Sequence, residues 1–183
     1  MKATKGWIGA SLALTLVFAA APLPAQVLRG YDVKAAFLYN LITFTDWPSK
    51  AFTSTESPYV IGLVGEDPFG PALDLIVDGE KIKGRPLVVR RFERVESVHQ
   101  CHILFISASE SSRTAEILSR LEGLPVLTVS DMPGFAERGG AIGLTGEARV
   151  GLVINPTVIR ASNFAVSSKL LRLAQLSKEG NAP

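Results

Sequence analysis

The sequence predicts an α/β domain of three layers, a mostly parallel, mixed sheet with helices on both faces. Three observations predict it. Apolar, β-branched runs alternate with segments of helical period from Tyr59 onward. Strand–helix–strand occurs twice, and a crossover connection joins parallel strands that both faces must cover. A late hairpin without a crossover helix then adds antiparallel pairing and makes the sheet mixed.

The first element is a helix. Val33, Ala36, Phe37, Asn40, Leu41 and Phe44 fall at helical spacing, and Trp47-Pro48 stops the run. Its other side carries Leu38, Tyr39 and Ile42, so it is apolar nearly all round. Such a helix is sandwiched in the core or covered by another chain, which makes those three residues a candidate homodimer face. Ser49–Ser57 is polar and reads as a loop. Tyr59–Gly65 reads as a strand buried on both faces, Glu66–Gly70 as a turn, and Pro71–Val77 as a short helix closed by Asp78-Gly79. Leu87–Phe92 is the second strand and His102–Ser107 the third. Thr114, Ile117, Leu118 and Leu121 mark a helix face, with Ser107 and Glu110 at capping-box spacing and Gly123 with Pro125 as its stop. Val126–Ser130 is the fourth strand.

Met132–Gly140 is a glycine-punctuated loop. Ala141–Thr145 and Val150–Asn155 flank Gly146-Glu147 as a hairpin, with Ile142 and Leu144 opposite Val150, Leu152 and Ile154. Asn155-Pro156 starts a helix that ends at Asn163, and Ser167 or Ser168 caps a last helix bearing Leu170, Leu171, Leu173 and Ala174. The order resembles Rossmann or flavodoxin folds, closed by the C-terminal hairpin and two helices.

The chain has 183 residues, 47% hydrophobic and 20% charged, which excludes intrinsic disorder. Its mean hydropathy of +0.26 is high for a globular domain, and much of the excess sits at the front. Lys2 and Lys5 precede fourteen residues without charge, Ile8–Ala21, and Pro22-Leu23-Pro24-Ala25 follows. Basic, apolar, then small is the order of a secretory signal peptide, and the run is short for a membrane span. We expect cleavage between Ala25 and Gln26, so that 1–25 is the leader and 26–183 a single domain; an uncleaved anchor is the alternative. Losing Lys2 and Lys5 leaves 17 basic against 17 acidic residues, so the pI of 8.8 partly belongs to the leader and a nucleic-acid partner loses support. The basic group Lys81, Lys83, Arg85, Arg90, Arg91 and Arg94 reads as the solvated edge of a strand.

Chemistry is sparse. Ligands of such sheets lie outside the carboxyl ends of the strands, here Glu66, Asp67, Ser107, Ser109, Ser130 and Asp131. No dinucleotide fingerprint, P-loop or nucleophile elbow occurs there, and the acidic groups repel phosphate. His99, Cys101 and His102 crowd together, but no second cluster completes a tetrahedral set and adjacent strand residues face opposite ways. No metal, cofactor or catalytic residue is assigned, and Cys101 reads as a small core residue.

Val33–Asn40 with Trp47-Pro48, Ile61-Gly62, Asp67–Gly70, Cys101–Ser107, Thr128–Asp131, Gly134–Ala136, Gly139-Gly140, Ile154-Asn155 and Ser167–Leu171 occur in one order from about Tyr31 to Leu176. Together they resemble the YfiR family. The resemblance implies a non-enzymatic periplasmic protein that binds and inhibits a membrane-anchored diguanylate cyclase, or a similar membrane sensor kinase, and lowers cyclic di-GMP and biofilm formation. It also implies sequestration by an outer-membrane lipoprotein. A periplasmic small-ligand sensor using the carboxyl-end crevice is the alternative. Protein interfaces centre on a few apolar anchors, so Phe135, Ile142, Leu144, Leu152 and Ile159 around the hairpin are the expected partner-binding residues. The alternative is that all five face the core.

Overall fold

The computed structural model describes residues 30–93, 98, 100–147 and 149–176. The predicted leader with its cut at Ala25 and Gln26 lies outside the described residues, as do Arg94 and His99.

Helix α1 (Gly30–Thr43) leads into the two-residue strand β1 (Thr45–Asp46). β2 (Tyr59–Val64) follows, with all six residues buried, as its unbroken apolar run predicts. Gly62 interrupts that run for a steric reason. A Cβ there would stand 2.8 Å from the Phe92 ring and 3.1 Å from Cys101. α2 (Pro71–Val77) starts on a proline, and a turn carries the chain through β3 (Lys81–Ile82) into β4 (Arg85–Phe92). β5 (Ile103–Ile106), α3 (Thr114–Leu121), β6 (Leu127–Ser130) and β7 (Ile142–Thr145) continue the sheet. β8 (Gly151–Ile154), α4 (Pro156–Ala161), β9 (Ala165–Val166), α5 (Ser168–Leu173) and β10 (Gln175–Leu176) complete it.

The sheet order is β10-β8-β7-β6-β5-β2-β4-β3, and β1 pairs with β9 separately. Pairings β4–β2, β2–β5, β5–β6, β6–β7 and β8–β10 are parallel; β7–β8 and β3–β4 are antiparallel. This is the mixed, mostly parallel α/β sheet the alternation predicts. The late hairpin forms in the predicted register, Ile142 opposite Ile154 and Leu144 opposite Leu152. β4 is longer than predicted, and β3 covers its outer side only at Arg85 and Pro86. From Val88 to Phe92 no other strand flanks that side among the described residues, consistent with the solvated edge the basic residues suggest.

Alternate residues of the strands feed two cores, because successive side chains leave a strand on opposite faces. Tyr59, Ile61, Leu63, Ile103 and Phe105 join Leu38, Leu41 and Ile42 of α1 and Leu73 of α2. Val60, Val64, Leu104 and Ile106 join Ile117 and Leu121 of α3, with Met132 and Phe135.

Several local expectations are corrected. Ser107 and Glu110 form no capping box; residues 108–113 wind as a 3-10 turn in which the Glu110 amide donates to the Ser107 carbonyl, and α3 begins only at Thr114. α4 stops at Ala161, with extended Ser162 after it, and the Asn163 side chain donates instead to the Gly123 carbonyl. By contrast Asn155 and Ser167 cap α4 and α5 as the sequence suggests.

Candidate functional site

At the carboxyl ends of the strands the polar residues bind one another. Asp67 Oδ1 accepts the amides of Phe69 (2.8 Å) and Gly70 (3.3 Å), while Oδ2 meets Arg91 Nε at 2.8 Å. The Ser109 hydroxyl accepts the Glu66 amide at 2.9 Å, beside Gly65, whose positive φ of 88° and lack of a Cβ leave room for that hydroxyl. Ser130, wholly buried, donates to the Ile106 carbonyl and accepts the Met132 amide. Ser107 is buried and contributes its backbone to the turn. Asp131 accepts two hydrogen bonds on Oδ2, from Tyr31 Oη at 2.8 Å and Lys34 Nζ at 2.7 Å. Of the six residues predicted as a ligand crevice, four therefore hold the fold. The side chains of Asp67, Ser109, Ser130 and Asp131 are spent on protein partners.

The Lys34–Asp131 pair is the feature sequence reasoning missed. Both side chains are under a tenth exposed, and α1 is pinned by them across the end of β6. Lys34 also lies 4.3 Å from the centre of the Tyr31 ring, and burial together with Asp131 pushes the Tyr31 phenol up to about 12. A lysine in a helix faces solvent by default, so no local signal marked it.

The expected partner-binding patch is corrected. Phe135, Ile142, Leu144 and Leu152 are 0–3% exposed. The hairpin lies inside the sheet, between β6 and β10, so its edges are paired, and Ile142, Leu144 and Leu152 pack into the core. Phe135 turns inward from its loop against Gly140, whose missing Cβ makes space for the ring. Ile159 is half-buried against the core. The candidate dimer face is corrected for the same reason: Leu38 and Ile42 are core residues of this chain, and Tyr39 donates from Oη to Glu80 at 3.0 Å. Among the described residues the large exposed apolar side chains are Leu75 and Leu171.

The opposite end of the sheet carries an aromatic cluster drawn from five separate segments. Trp47 meets the His102 ring edge-on at 5.5 Å and Tyr59 at 5.9 Å, and Phe164 lies 6.1 Å from it. Phe52 packs against His102 at 4.6 Å with its ring tilted by 37°, and the Arg85 guanidinium lies over the Phe52 ring at 4.0 Å. Arg85 also donates to the carbonyls of Ser54 and Ser57, which braces the loop. His102 Nδ1 accepts the Val60 amide at 3.1 Å, so the ring proton sits on Nε2. Burial pushes this imidazole down to about 4 and keeps it neutral. Next to it, Cys101 donates its thiol to the Val98 carbonyl, and burial pushes the thiol up to about 12. Cys101 is thus an inert core thiol, as expected from its place before a buried strand.

Compared with known proteins, the chain matches the family model described as YfiR/HmsC-like over residues 31–175. No curated protein matches it.

Proposed function

This chain belongs to the YfiR/HmsC-like family, and from that premise we propose that it is a regulatory protein of the periplasm that restrains a membrane-anchored partner. The finer reading is inhibition of an inner-membrane diguanylate cyclase, or a similar membrane sensor kinase, so that cyclic di-GMP falls while the two are bound. An outer-membrane lipoprotein that sequesters the repressor would relieve it. The carrying observation is the family match, which spans nearly all of the chain behind the predicted leader. Residues 1–25 act in this reading as the export leader and the remainder as one domain. The core strand order β4-β2-β5-β6-β7 supports a flavodoxin-like arrangement with helices layered on both faces.

The state of the reactive side chains supports a binding role over an enzymatic one. The Cys101 thiol is held protonated, the His102 imidazole neutral, and the carboxyl-end groups are paired within the protein. Neither Cys101 nor His102 is poised as a nucleophile or a general acid near neutral pH.

The test has two arms. Deleting the gene should raise cellular cyclic di-GMP, and crosslinking in the periplasm should capture a membrane protein with a periplasmic sensor domain. Unchanged cyclic di-GMP together with no captured membrane partner would overturn the reading.

A further inference from the structure

The aromatic cluster borders a cleft of about 600 Å³ at the amino-terminal ends of β2, β5 and β6. Its volume falls in the range of small-molecule sites, about 300–1,000 Å³. Val60, Cys101 and His102 form the floor. One wall is the loop carrying Phe52 and Pro58, and the other is the Leu124-Pro125 turn. Lys50 and Arg90 stand exposed at the rim. No carboxylate lines the cleft among the described residues.

His102 is the informative residue. It is 4% exposed, and its Nε2 finds no hydrogen-bond partner among the described residues. A buried donor left without an acceptor destabilises a fold by about 1–3 kcal/mol, so such groups are rare without a reason. The pairing of Nδ1 with Val60 fixes Nε2–H as a donor, and the low pKa keeps the ring from gaining a second proton. The cleft is therefore lined by a histidine with an unpartnered buried donor, two rim cations, the apolar Phe52, Pro58, Leu124 and Pro125, the polar Thr53, Ser57 and Gln100, and no acid among the described residues.

We propose that this cleft binds a small apolar carboxylate, whose body lies between Phe52 and Pro125 and whose carboxylate takes the His102 Nε2–H under the charge of Lys50 and Arg90. Phe52, half-buried on its loop and packed against the imidazole, is the side chain that turns aside to admit the ligand. At the far end of β6, Lys34, Tyr31 and Asp131 are engaged with one another. Regulation of a membrane partner is a separate matter, and failure of this site would leave that reading intact.

The probe is phenylacetate, with phenylacetamide as its uncharged counterpart, titrated into the full mature protein and followed by NMR. Phenylacetate should saturably shift the resonances of His102 and Phe52, and phenylacetamide should bind at least about tenfold more weakly, a difference of about 1.4 kcal/mol. The double substitution Lys50→Met and Arg90→Met, at exposed positions, should weaken phenylacetate by about tenfold or more. His102→Phe keeps the ring packing and removes the donor; folded, it should also lose affinity. The proposal is overturned if phenylacetate leaves His102 unmoved, if acid and amide bind equally, or if the rim double variant binds like the wild type. Folded His102→Phe with unchanged affinity would overturn it too. Should His102→Phe not fold, the rim variant and the amide decide.

Discussion

Removing the carboxylate of Asp131 tests the strut that holds α1 to the sheet. In Asp131→Leu the ammonium of Lys34 stays where it is, its side chain 8% exposed and 2.7 Å from the lost partner. Breaking a buried pair by deleting one member costs about 3–5 kcal/mol, because the remaining charge is uncompensated. Tyr31 loses its acceptor as well. A domain of this size has about 5–15 kcal/mol of stability in total, so the single change should remove about a fifth of it or more. The companion variant is Asp131→Leu with Lys34→Met, which removes both charges. It should be more stable than Asp131→Leu alone by about 2 kcal/mol or more, since paired charges can be replaced by apolar groups at little cost. Urea unfolding followed by Trp47 fluorescence reads this directly, as Trp47 is the one tryptophan beyond the predicted leader. If Asp131→Leu lost less than about 1 kcal/mol, or if the double variant were no better than the single one, the pair would not be the strut described.

Three further outcomes are expected. Acid should destabilise the protein between about pH 6.5 and 4, because His102 is held neutral when folded and gains its proton readily when unfolded. This contribution is complete above 6.5 and is lost as pH falls through about 4, up to about 3 kcal/mol; His102→Phe should flatten that part of the stability curve, and parallel curves would refute it. Phe135→Ala should cost about 3–5 kcal/mol by calorimetry or denaturant titration, as for any large buried ring, whereas a surface residue would change stability by less than about 0.5 kcal/mol. Asn155→Ala should cost about 1–2 kcal/mol, since the side chain accepts the Thr157 and Val158 amides and also donates to the Ala136 carbonyl; hydrogen exchange should rise first at α4.

The strands were legible because a strand buried on both faces announces itself as an unbroken apolar run, as in Tyr59–Val64 and Ile103–Ile106. Caps at Asn155 and Ser167 were legible because their hydrogen bonds are local. What escaped depends on tertiary contact. α1 is apolar nearly all round, and only the distant Asp131 decides that Lys34 turns inward. Phe135 stood in a loop between glycines and looked displayed, yet one of them, Gly140, is what lets the ring be covered; Gly140 was the available signal. The strands β1, β9 and β10 are two residues each, too short for any periodicity. The aromatic cluster was invisible because positions 47, 52, 59, 102 and 164 share no motif and meet only after folding.

The side of β4 from Val88 to Phe92, which no other strand flanks among the described residues, has a consequence for how the protein behaves in a test tube. A row of unmatched peptide groups invites another strand, and two copies meeting there would bring the exposed Arg90 and Arg91 of each into one seam. Like charges opposite one another make that seam repulsive in dilute buffer. The repulsion reaches about 10 Å at 0.1 M salt and about 3 Å at 1 M. Concentrated salt therefore removes the guard without touching the fold. Arg91 is in addition bound to Asp67 and Asp74, which leaves Arg90 as the stronger sentinel. Solutions of this protein should keep best at low ionic strength, and colloidal self-association should begin along this one border before the domain unfolds.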